Sequence, residues 1–237
     1  MDREESCQTM PHATDSQAQL NLYIKFLKER LFFEPTSATM HYNLGLAYSH
    51  KGLLDEAVSE FKQALECDPG LAQALVNIGG LMFRKGDLDQ CIEFNVKALE
   101  IDPNLPMAHS NLGFAHLQKK DYSNAIASSN RAIELIPEFL RAYNTLAMAC
   151  LASGQTDACI AAARKMLSIN ERYAPAHYAL SVALRLAGDA TEAEKHLDVA
   201  RELGYPVDDP SLANGNSIEQ LPEQTHGPHL KPIPPEH

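Results

Sequence analysis

Tryptophan is absent from this chain, and bases are scarce: 20 Lys and Arg stand against 31 Asp and Glu, a formal net charge of -11. Binding to a phosphate backbone needs clustered bases, so the acid excess argues against nucleic acid as a partner. No apolar run approaches the roughly 20 residues that span a bilayer, so no membrane partner is expected. The opening "MDREESCQTM" is acidic and polar, unlike a secretory leader. Together these absences point to a cytoplasmic protein. The five cysteines, Cys7, Cys67, Cys91, Cys150 and Cys159, are odd in number and form no C-x-x-C pair, which argues against a zinc ribbon or a disulfide framework. There is no glycine-rich phosphate loop and no paired-carboxylate constellation, so the chain reads as a non-enzyme. His226, His229 and His237 near the C-terminus could hold a metal only loosely, and no metal or cofactor is expected.

What the chain does have is a repeat. "HYNLGLAY" (41–48) returns as "LVNIGGLM" (75–82) and "HSNLGFAH" (109–116), and the 34-residue period holds five times, over 38–71, 72–105, 106–139, 140–173 and 174–207. The eighth place of each repeat is small: Gly45, Gly79, Gly113, Ala147, Ser181. The twentieth is Ala57, Cys91, Ala125, Cys159, Ala193. Gly52, Gly86, Gly154 and Gly188 interrupt each apolar pattern at one place, and Pro69, Pro103 and Pro137 end it. This spacing predicts a pair of antiparallel helices per repeat, with the small residues at a close crossing. Acids such as Asp55, Asp87, Asp121 and Asp189 fall where they suit the start of the second helix.

The segment "YNLGLAYSHKGLLDEAVSEFKQALECDP" (42–69), with Leu44, Gly45, Tyr48, Gly52, Ala57, Phe61, Ala64 and Pro69 in register, resembles the tetratricopeptide repeat family. The resemblance implies an all-α fold: a right-handed superhelical solenoid of antiparallel helix pairs, about five full repeats plus an N-terminal capping helix. Departures are the histidines His41, His109 and His177 at a place usually aromatic, Glu171 in place of the terminal proline, and Pro206 one place late. "LNLYIKFLKERLFFEP" (20–35) matches only the second half of a repeat. It predicts a capping segment over 17–37 whose Leu27, Leu31 and Phe32 cover the open edge of the first repeat. Residues 1–16 and the Pro-rich tail 208–237 are expected to be disordered. The tail is either solvated or able to enter the groove.

In this family the first helices line a concave groove, so the resemblance implies a module that binds a protein or an extended peptide and acts as adaptor, assembly factor or scaffold. The alternative is a homo-oligomeric scaffold built through repeat edges or tail exchange. The sixth place then puts Asn43, Asn77 and Asn111 in a row, and a row of carboxamides can bond a peptide backbone. The bland reading of the row is that asparagine is tolerated on an exposed helix face. The fifth place contributes Tyr42, Asn144 and Tyr178; the ninth, Leu46, Phe114 and Met148; the twelfth, Phe83. The first fourteen places of the five repeats hold no acid and six bases, Lys51, Arg84, Lys85, Lys119, Arg141 and Arg185, while all 20 acids of 38–203 lie elsewhere. A partner that is neutral to mildly acidic is expected, and Arg84, Arg141 and Arg185 complete the candidate groove. The clamp that some members use to grip chaperone C-termini is not expected, because Tyr42 and Leu46 stand where it needs Lys and Asn.

Overall fold

The structure, a computed structural model, describes residues 13–207; the expectations for residues 1–12 and for the 208–237 tail lie outside the described residues. Among the described residues there are eleven helices and no strand. The first, α1, spans Ala13–Phe33, so helix starts inside the segment expected to be disordered. Ten helices follow in strict register. The first helices of the repeats are α2 (Ala38–His50), α4 (Ala72–Arg84), α6 (Pro106–Gln118), α8 (Leu140–Ala152) and α10 (Ala174–Leu186). The second helices are α3 (Leu54–Cys67), α5 (Leu88–Ile101), α7 (Tyr122–Leu135), α9 (Thr156–Ile169) and α11 (Ala190–Glu202).

The turn between the two helices of a repeat explains the glycine column. Gly52, Gly86, Gly154 and Gly188 all have φ between 76° and 92°, where a Cβ is strained. The third repeat meets the same turn with Lys120 at φ 61°. Asp87, Asp121 and Asp189 then cap α5, α7 and α11, each side chain accepting from a backbone N–H three residues on. Leu53 and Gln155 occupy the equivalent place before α3 and α9 and make no side-chain cap bond.

The small eighth place marks a tight crossing, as the spacing predicts. A Cβ at Gly45 would lie 2.8 Å from the Phe61 ring, and one at Gly113 2.8 Å from Ser129 Oγ. At Gly79 it would collide with the Asn95 carboxamide. The facing place on the second helix therefore changes from Phe61 to Asn95 to Ser129 to Ala163, and all four are wholly buried. The twentieth-place residues Ala57, Cys91, Ala125, Cys159 and Ala193 are also fully buried.

The described residues pack as two compact units, one ending at Ala74 and the other starting at Leu75. In the first, α1 lies on α2, and α2 on α3. Ile24 and Leu27 are buried and Leu31 half-buried, but Phe32 is 81% exposed. This corrects the expectation that Phe32 covers the edge: Ile24, Leu27 and Leu31 follow helical spacing on one face, and Phe32 is turned about 100° from Leu31. In the second unit α6 packs on α5, α7 and α8, and α10 on α9 and α11. One of its core clusters joins Cys150, Cys159, Met166, Leu180 and Leu184.

Candidate functional site

Arg141, in the first turn of α8, donates from Nη2 to Asn111 Oδ1 on α6 at 3.0 Å. Asn111 in turn donates from Nδ2 to Asn95 Oδ1 at 3.1 Å, and at 3.5 Å to the Val76 carbonyl on α4. Asn95 donates to the Cys91 carbonyl at 2.7 Å. A polar chain thus runs through the second unit from a guanidinium to a fully buried amide. Arg141 is partly buried, and loss of water pulls its pKa below the ordinary range for arginine. No carboxylate of the described residues lies within ion-pair reach of it. A desolvated cation without a counter-charge is costly, and an anion bound there offsets that cost.

Around this chain the first helices carry a mixed surface. Phe83 of α4 and Phe114 of α6 meet edge to face with ring centroids 4.9 Å apart, and both are half-buried. Arg141, Asn144 and Met148 follow one another up α8 at helical spacing, with Asn144 Nδ2 3.7 Å from the Met148 sulfur. Tyr178 of α10 stacks on Tyr205 at 4.9 Å. Burial pushes the Tyr205 hydroxyl pKa up.

Family models of the tetratricopeptide repeat match residues 38–71, then 72–105, 108–139 and 140–173, and finally 174–198. The chain belongs to the tetratricopeptide repeat family. No curated protein matches the chain significantly. Among solved structures it is similar to MamA, at 27% identity and a TM-score of 0.63, over 68% of this chain and 94% of that one. It is similar to YrrB, described as a tetratricopeptide repeat protein with an unusual peptide-binding site, at 20% identity and a TM-score of 0.65, over 79% and 95%. It is also similar to pilF of Pseudomonas aeruginosa at 22% identity and a TM-score of 0.65, over 70% and 76%. The last two likenesses speak to fold alone.

As a tetratricopeptide repeat protein the chain departs from its sequence reading at the asparagines. Asn111 is 3% exposed, and both ends of its carboxamide are used inside the protein, so it holds Arg141 rather than lying open for a peptide. Asn43 and Asn77 are buried as well, at 6% and 7% exposure. The reason is geometric: the sixth place faces the neighbouring helix as much as the solvent, and a buried amide takes protein partners first. Tyr42 and Leu46 are core residues of the first unit, with the Tyr42 ring 5.5 Å from Phe61. Met148 is buried too. Arg84 and Arg185 are exposed; Arg185 pairs with Glu194 at 3.3 Å, so its charge is already answered. Lys119 pairs with Asp89 in the same way. Of the predicted bases, Lys51 and Arg141 are half-buried with no acid in ion-pair reach among the described residues; Lys51 donates to Asn21 Oδ1 at 2.8 Å, and Arg141 is the one tied into the buried amide chain.

Sequence reasoning missed Asn95, whose place in the repeat is that of a core aromatic in the first repeat. The signal was there: a polar residue at an apolar register position, opposite a glycine. It also missed the role of the histidines. His41, His109 and His177 each direct Nε2 at the backbone carbonyl six residues back, Pro35, Pro103 and Glu171, at 3.1, 3.0 and 2.9 Å. They tether a repeat to the loop before it. The cysteines of the repeats offer no nucleophile in the core: burial pushes the Cys91 thiol up to about 11 and the Cys159 thiol up to about 12. No described helix is long and apolar enough to cross a membrane.

Proposed function

We propose that this chain is a non-catalytic adaptor or assembly factor that binds an extended, mildly acidic segment of a partner protein along the first helices of its second unit. In this reading Arg141 takes a carboxylate of the partner, and the half-buried rings of Phe83 and Phe114 take an apolar side chain beside it. The observation that carries the reading is the Arg141–Asn111–Asn95 chain. It fixes a desolvated guanidinium at the surface end of a buried polar network, and no acid among the described residues neutralises it. A guanidinium accepts a carboxylate through two parallel bonds, and such charge-assisted bonds are among the stronger ones available to a peptide site.

Selection from a random peptide library tests this directly. The wild-type chain should enrich peptides with Asp or Glu at one fixed position next to a large apolar residue. Arg141→Gln should lose that acidic preference while folding normally. Peptides selected with no acidic position, or an unchanged preference in the variant, would contradict the assignment.

A further inference from the structure

Helix α1 is apolar on two opposite sides. Ile24, Leu27 and Leu31 pack towards α2, yet Leu22 is 67% exposed, Phe26 55%, Phe33 77% and Phe32 81%, with Tyr23 at 39%. At 3.6 residues per turn, Leu22, Phe26 and Phe33 fall within about 40° of one another, opposite the packed side. The other large exposed apolar residues among those described, Val96, Ile101, Ile136 and Leu186, are spread over three elements or their ends, as is ordinary for a monomer. Five on one helix is not ordinary: at roughly 200 Å² per large side chain they leave on the order of 600 Å² of apolar surface wet. A stable interface buries about 800 Å² on each partner, so this face with its polar rim is of the right size for one.

We infer that the outward face of α1 is a self-association surface, on which two copies of this chain pair α1 against α1 in antiparallel fashion. The polar rim selects a second copy as the occupant. Lys25 and Glu29 flank the apolar stripe one turn apart, pair with each other at 3.8 Å along the helix and stay largely exposed, so each can also meet the opposite charge of a second copy. A two-fold axis at the level of Leu27 sets each Lys25 beside the partner's Glu29, Phe26 against the partner's Phe26, and Leu22 against the partner's Phe32 and Phe33. Such a contact is closed and reciprocal, the commonest form of a dimer. The inference is independent of the peptide site, which lies in the other unit.

Sedimentation of the full chain from about 1 to 200 μM is the test. The wild type should dimerise, and Phe26→Glu should weaken association at least tenfold without changing helix content or melting temperature. Lys25→Glu should weaken it as well, and the double reversal Lys25→Glu with Glu29→Lys should restore it. A wild type that stays monomeric overturns the inference, as does a Phe26→Glu variant that dimerises normally or a double reversal no better than the single one. Loss of the dimer on removing residues 208–237 would overturn it too, by assigning the contact to that segment.

Discussion

Asn111 shows how one residue can look like a ligand contact and act as a support. Its carboxamide accepts from Arg141 and donates to Asn95, so removing it leaves two polar groups without their partner. Asn111→Ala should therefore lower stability by about 1–3 kcal/mol, the usual cost of an orphaned buried polar group. Asn144→Ala, at a half-buried position whose described contact is a weak one to sulfur, should stay within about 0.5 kcal/mol. Urea unfolding of the two variants checks both values, and equal losses would place the two asparagines in the same role. The sequence put Asn43, Asn77 and Asn111 in one column, because period 34 is legible at any length. It could not say which way the amides turn, because a residue between two helices is shared by core and surface. Asn95 and the unanswered charge on Arg141 are likewise products of packing across repeats, and no spacing within one repeat encodes them.

At the scale of the element, the helix pair was almost wholly readable. Glycine at the turn, aspartate at the N-cap and proline after the pair each act through local backbone geometry, so each leaves a mark in sequence. The phase of α1 was less so, since a helix apolar on both sides gives no single stripe to orient it. The last pair, α10 and α11, carries a further property. His177 Nε2 faces the Glu171 carbonyl and so bears the proton; its Nδ1 is then an acceptor and meets His196 Nδ1 at 2.9 Å. The pKa of His196 is lowered, first by burial and then by His177, Arg164 and Lys195, against a weaker opposing pull from Glu192. The stability this supplies is full above the unfolded value near 6.5 and is lost as pH falls towards the lower folded value, where the unfolded chain takes up the proton first. Amides of α10 and α11 should exchange faster as pH drops through that window, beyond the intrinsic change in exchange rate. Those of α6 and α7, where His109 makes no such pair, should not. In the first repeat the equivalent neighbour of His41 is Glu60, at 2.7 Å, a carboxylate in place of the second imidazole. A similar acid response in α2 and α10 would rule out the histidine pair as its source.

On the scale of the whole molecule, two surfaces stand out for opposite reasons. The outward face of α1 is apolar and exposed; the first helices of the second unit carry a cation that no acid among the described residues neutralises. The Arg141 chain spans three repeats, from α4 through α6 to α8, and its position fits a ligand that runs across repeats rather than along one helix. The most direct test is hydrogen exchange of the chain with and without the best peptide selected from the library. Protection should appear in α4, α6, α8 and α10, centred on the turns that carry Asn111 and Arg141, and should vanish in Arg141→Gln. Protection confined to α5, α7 and α9, the helices that carry the acids, would contradict the account.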